Sequence, residues 1–163
     1  MGLRAANVKH LPVTEAELDQ LYRQEALGMA RVAFLMVGRR DIAEEIVHDA
    51  FIAIRPRLID GVVHNPGGYL RTSVVNGCRM WLRRQRIERE HEPDPPPPSG
   101  AAHDEVALHL ALLALPTRQR EAVVLRYFAD LPEAEIAGHL ACRPSTVRSL
   151  VRRGIAALRE ELS

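Results

Sequence analysis

Apolar residues recur at three- and four-residue steps along most of the chain, the spacing of helices with one buried face. The first stripe is Leu18, Leu21, Tyr22, Ala26, Met29, Val32, Ala33 and Met36. Thr14 and Glu17 precede it with capping-box spacing, and Gly38 follows as a stop. A second stripe runs through Ala43, Ile46, Val47, Ala50, Phe51 and Ile54, opening at Asp41 with Glu44 three residues on and closing near Pro56. Residues 59–68, IDGVVHNPGG, read as loop. A third helix is expected from Tyr69 to about Glu90, with Leu70, Val74, Gly77 or Cys78, Trp81 and Leu82 facing inward.

The periodicity stops at residues 93–100, PDPPPPSG, which suit neither helix nor central strand and form a semi-rigid extended spacer. The pattern resumes with a helix from Asp104 through Leu115. Pro116-Thr117 restarts a helix carrying Val123, Val124, Tyr127 and Phe128. Two short helices follow within 131–158, one with Ile136, Ala137 and Leu140, the other with Val147, Leu150, Val151, Ile155 and Leu158. Between them Cys142-Arg143-Pro144 breaks the repeat, and Ser145 or Thr146 is placed to cap the second. No period-two segment of useful length occurs. The expected fold is all-α: two small helical domains, 14–90 and 104–162, joined by a Pro-rich linker over 91–103, the C-terminal one a helix-turn-helix.

Composition narrows the class. An apolar share of 47 % supports packed cores in a chain of 163 residues, and 4 % aromatics favour aliphatic helical packing. The two cysteines, Cys78 and Cys142, lie far apart with no metal-like spacing, as expected for reduced thiols in the cytosol. The N-terminal MGLRAANVKHLP lacks the apolar core of a signal peptide, and the apolar run from Val106 to Leu115 is too short for a bilayer. The expectation is a cytoplasmic protein with no membrane insertion.

Charge is informative by position rather than by sum, since the net value is only +1. No acid lies between Glu135 and Glu160, and Arg148, Arg152 and Arg153 leave the apolar stripe of the last helix. Such a helix suits the major groove, where arginine pairs with guanine and phosphate. The same residues also fit a helical hairpin with merely solvated arginines. A second basic patch spans 71–89, with six arginines against Glu88. Asn76 and Trp81 beside those arginines match what single-stranded DNA requires: amides for base edges, an aromatic ring for stacking, cations for the backbone. Trp81 equally fits a core position. The outer face of the second helix carries Glu44, Glu45, His48, Asp49 and Ile52, either solvated or a partner surface. No phosphate loop, nucleophile elbow or metal-binding histidine pair is present in the sequence, so no enzymatic activity, cofactor or metal is expected.

Two stretches together resemble one family. ALLALPTRQREAVVLRYFADLPEAEIAGHLACRPSTVRSLVRRGIAALRE resembles the promoter-binding C-terminal domain of bacterial extracytoplasmic-function (ECF, group 4) sigma factors, of the housekeeping sigma family. DIAEEIVHDAFIAI and NPGGYLRTSVVNGCRMWLRRQR resemble their N-terminal domain, in the same order. The resemblance implies a factor that binds core RNA polymerase and directs promoter-specific initiation without catalysis. Glu45, His48 and Asp49 would dock on the polymerase clamp helices, with His48 in place of the usual glutamine. Asn76 would take a flipped base of the minus-ten element, while Arg71, Arg79, Arg83 and Arg84 hold the strand backbone. Thr146, Arg148, Ser149, Arg152 and Arg153 would contact the minus-thirty-five element. An anti-sigma partner clamping both domains around residues 91–103 is also implied.

Three residues depart from the family pattern. Leu150 stands where many members carry a DNA-contacting arginine, Ala141 where a turn glycine is usual, and Pro132 where a capping serine is usual. The alternative function is a two-domain helix-turn-helix regulator of duplex DNA that is not a polymerase subunit. The basic patch from Arg79 to Arg89 separates the two, because a duplex regulator has no use for a strand-melting helix.

Overall fold

A computed structural model describes residues 13–88 and 103–163. Residues 1–12 and 89–102, which include the expected end of the third helix near Glu90 and the spacer up to residue 102, lie outside the described residues. Seven helices make up the described chain, with no strand among those residues: α1 Glu15–Val37, α2 Arg40–Ile59, α3 Pro66–Glu88, α4 His103–Ala114, α5 Thr117–Tyr127, α6 Glu133–Leu140 and α7 Pro144–Glu161. The all-α expectation holds.

The first unit is α1, α2 and α3, each packed on the other two. α1 opens with the expected reciprocal box: the Thr14 hydroxyl accepts from the Glu17 N–H at 3.3 Å, and the Thr14 N–H donates to the Glu17 carboxylate at 2.7 Å. That pair satisfies two of the donors a helix start leaves open. Gly38 ends the helix at φ 79°, the left-handed conformation glycine adopts without penalty.

Three local expectations are corrected. Asp41 does not cap α2, which starts from Arg39 with no side-chain cap; Asp41 instead pairs with the Arg39 guanidinium at 2.7 Å. The loop expected over 59–68 is shorter. α2 runs through Pro56 to Ile59, and α3 starts at Pro66, where the Asn65 side chain accepts the Gly68 N–H at 3.1 Å. Neither Ser145 nor Thr146 caps α7: Pro144 holds the first helical position, which has no partner for a backbone N–H to lose.

The second unit is α4 to α7, with α5 against α7 as its main contact. A Cβ on Gly154 would meet the Val123 side chain at 2.6 Å, so the absence of a side chain lets the two helices meet at that point. The turn between α6 and α7 passes through Ala141 at φ 50°, ψ 50°. Its N–H and that of Cys142 return to the carbonyls of Gly138 and Ala137, closing α6 as a glycine would.

The two units pack together. Phe34 of α1 stacks on His109 of α4, ring centres 4.2 Å apart and planes 2° from parallel. The Arg31 guanidinium lies 5.4 Å from the Phe128 ring centre, and Leu113 fills the space beside Gly38. From α3, Arg79 reaches the Glu121 carboxylate of α5 at 3.3 Å and donates to the His139 carbonyl at the end of α6.

His109 is 3 % exposed and its Nδ1 has no hydrogen-bond partner. Burial, and then the Arg120 guanidinium, hold its imidazole below the ordinary value of 6.5. Burial lowers His139 as well, opposed by Glu135 and assisted by Arg79. Folding therefore favours the neutral form of both rings, so their contribution is complete above 6.5 and is lost as pH falls below it. The lowered carboxyls of Glu17 and Asp41 act in a separate window below 4.5. Denaturant unfolding at a series of pH values between about 7.5 and 5 is expected to show falling stability, with a shallower fall in His109→Phe. An unchanged slope would remove His109 as a cause. At the turn, Ala141→Gly is expected to raise stability by about 0.5–1 kcal/mol, since an alanine there bears the left-handed cost and glycine does not. A calorimetric Tm equal to or below that of the parent would contradict it.

Candidate nucleic-acid interface

α7 is the more complete of the two basic surfaces. Its buried line is Val147, Gly154 and Leu158, with Leu150, Val151 and Ile155 half-buried on the same core. That line fixes the helix's rotation and leaves Thr146, Arg148, Arg152 and Arg153 exposed on the other side, with Ser149 half-buried at the margin. All five predicted contact residues therefore share one helix, four of them on open surface. Leu150 packs on the core, which accounts for an apolar residue at that position.

Arg148 makes one intramolecular pair, to Glu133 of α6 at 3.2 Å, with side chains 65 % and 40 % exposed. A pair this open contributes about 0–1 kcal/mol, so a phosphate or guanine competes for that guanidinium at small cost. Arg118 ties the turn to α5 by donating to the Leu140 carbonyl at 3.0 Å. That bond holds the turn without Arg148, Arg152 or Arg153.

α3 presents a divided surface. Leu70, Val74, Val75 and Cys78 are buried, while Asn76, Arg83 and Arg84 are exposed. Arg71 is half-buried with its Nε unpaired. Trp81 and Leu82 lie half-buried against the core, so packing takes up part of the ring expected as a stacking platform. Arg79 stands apart from its neighbours. It is committed to Glu121 and the His139 carbonyl, and its side chain is only 25 % exposed. In this arrangement it is not available to a strand.

α2 buries Ala43, Val47, Ala50, Ile54 and Leu58, which turns Glu45, His48 and Asp49 outward. Ile52, 57 % exposed, follows on the same face. The three predicted docking residues are together and uncovered by the second unit.

Several structural residues carried no signal in the sequence. Glu121 is a carboxylate 4 % exposed, within a helix otherwise buried through Ala122, Val123, Val124 and Leu125. Its partner lies 42 positions away. Neighbouring Cys78 has its thiol pushed up to about 12 by burial and by the Glu121 charge, which keeps it protonated and unreactive. Phe34 and His109 were likewise unmarked by periodicity. Among the described residues no cluster of three or more metal-ligating side chains occurs, and no helix is long and apolar enough to cross a membrane.

Comparison with known proteins agrees with this layout. The family model "Sigma-70 region 2" matches residues 21–87, and "Sigma-70, region 4" matches residues 105–158. The chain is 32 % identical over 160 residues to an RNA polymerase sigma-E factor of Streptomyces avermitilis, covering 94 % of this chain and 88 % of that one. It is 31 % identical over 158 residues to the ECF RNA polymerase sigma factor SigE of Mycolicibacterium smegmatis, covering 89 % of this chain and 61 % of that protein's length. Among solved structures, the sigma factor RpoE of Bartonella quintana, crystallised with the anti-sigma factor NepR, superposes with a TM-score of 0.71 at 22 % identity, covering 90 % of this chain and 96 % of that one. CnrH, solved with the cytosolic domain of CnrY, gives 0.64 at 22 % identity, covering 91 % and 89 %. Two sigma regions in order, on an all-α frame of the same fold, make one assignment: this chain belongs to the ECF sigma factors of RNA polymerase.

Proposed function

We propose that this chain is a group 4 member of the housekeeping sigma family that binds core RNA polymerase and confers promoter specificity inside the cell, with no catalysis of its own. The working units are residues 14–90 and 104–162, joined by 91–103. The observation that carries the reading is the separation of three functional faces on rigid helices. An acidic face on α2 and two arginine-bearing faces on α3 and α7 point outward while each helix's apolar line is buried.

On this reading the α2 face docks on the clamp helices of polymerase through Glu45, His48 and Asp49. α3 engages the minus-ten element as a single strand: Asn76 takes the edge of a flipped base, and Arg71, Arg79, Arg83 and Arg84 neutralise the backbone. α7 enters the major groove of the minus-thirty-five element, where Thr146, Arg148, Ser149, Arg152 and Arg153 meet bases and phosphates. The divided labour suits the chemistry. Duplex recognition needs a helix in a groove, whereas melting needs cations and an amide beside unstacked bases. An anti-sigma protein is a natural third partner, since the structurally similar RpoE of Bartonella quintana was crystallised with an anti-sigma factor.

Three measurements test this. The purified chain, mixed with core polymerase lacking sigma, is expected to bind it and to start transcription at promoters of its own genome; failure to bind core overturns the reading. Asp49→Ala is expected to weaken polymerase binding by about tenfold, the equivalent of roughly 1.4 kcal/mol, with duplex affinity unchanged. Equal polymerase affinity would remove Asp49 from the docking face. Arg84→Ala is expected to lower the salt slope of open-complex formation by about one unit, the loss of one phosphate contact. An unaltered slope would reject that contact.

A further inference from the structure

Arg79 raises a question the sigma reading leaves open, because its guanidinium is already occupied. Its Nε donates to Glu121 at 3.3 Å, and a second nitrogen donates to the His139 carbonyl. A carboxylate oxygen and a carbonyl oxygen together present the kind of acceptor set that a DNA phosphate presents to arginine. Arg83 and Arg84, on the next turn of α3, remain exposed. The occupied guanidinium is therefore the one that faces the second unit.

We propose that Arg79 is a shared residue: Glu121 and the His139 carbonyl hold it in the closed chain, standing in for the strand phosphate it takes when the two units separate. The contact between units thereby masks part of the strand-binding surface until the chain opens. The strand role of Arg79 rests on the proposed sigma function; the latch itself does not.

Geometry requires the opening. Elements named for positions ten and thirty-five lie about 25 base pairs apart, or roughly 85 Å along a duplex at 3.4 Å per step. A chain of this length packed as one body has a radius of gyration of about 15 Å and is roughly 40 Å across. The closed arrangement cannot hold both elements. Besides the latch, α1 packs on α4 and α5, with Phe34 on His109, Arg31 on Phe128 and Leu113 beside Gly38 among the contacts. Glu121 is the costly member. With 5 % of its side chain exposed, it has Arg79 as its compensating charge, and it gains access to water when the units part.

The test uses the full chain as wild type, Glu121→Gln and Arg79→Ala, with circular dichroism to verify folding. Glutamine keeps the shape of Glu121 and removes its charge. Small-angle scattering reads the separation of the units, and fluorescence anisotropy with a labelled random-sequence DNA strand of about ten nucleotides reads strand affinity. Both variants are expected to increase the radius of gyration by about 3 Å or more over the closed value. Glu121→Gln is expected to bind the strand about fivefold more tightly, since affinity is reduced in proportion to the open fraction. Arg79→Ala is expected to open without that gain. Unchanged radii in both variants would overturn the latch. Opening of Glu121→Gln with no gain in strand affinity would overturn the sharing of Arg79. Binding of wild type to core polymerase, measured on the same preparation, reports separately on the sigma function: its failure with radii that respond as stated would reject that function and leave the latch standing.

Discussion

The two units meet at a buried carboxylate. Glu121 sits among Ala122, Val123, Val124 and Leu125, where an isolated anion is strongly disfavoured by lost hydration. Its compensation comes from Arg79, a residue of the other unit. A buried pair of this kind adds little net stability over an apolar substitute, yet removing one partner leaves an uncompensated charge. The pair brings α3 to α5 and to the end of α6. The stacked Phe34–His109 pair and the Arg31–Phe128 contact join the same two units along α1.

Much of the fold was legible because helical periodicity is a local property. The stripes on α1, α2 and α7 predicted which faces are buried, and by subtraction which residues face outward. Glu45, His48, Asp49, Asn76, Arg148, Arg152 and Arg153 are all on open surface for that reason. The box at Thr14 and the stop at Gly38 were readable because each is complete within a few residues. Asp41 shows where such reading fails. The same spacing of acid and glutamate gave no cap, because the Arg39 guanidinium beside it was the stronger competitor. At α7 the candidates Ser145 and Thr146 yielded to Pro144, whose fixed φ already suits the first helical position.

The interface between units was illegible for a different reason. Arg79 and Glu121 are each ordinary members of charged helices, and nothing within one turn of either marks them as partners. His109 interrupts an apolar run and reads as a defect, until Phe34 is seen to lie flat against it. Pairings of this kind are set by how two finished units meet, which no local pattern encodes. The consequence for site prediction is concrete. The family resemblance places Arg79 with the arginines expected to hold the strand, whereas its position in space gives it a competing partner.

That competition bears on the order in which the proposed surfaces come into use. In the closed chain the α2 face is uncovered, and so are Arg148, Arg152 and Arg153 on α7. On the proposed function, docking on polymerase and recognition of duplex DNA are thus open to the closed form one at a time, while strand capture through Arg79 is not. A partner that binds the α2 face leaves the latch intact unless it also draws α5 away from α3. Engagement of both promoter elements does so necessarily, because their separation exceeds the width of the closed body. On the proposed function, the energy of holding two distant sites releases Arg79 at the stage when an unpaired strand is present to receive it.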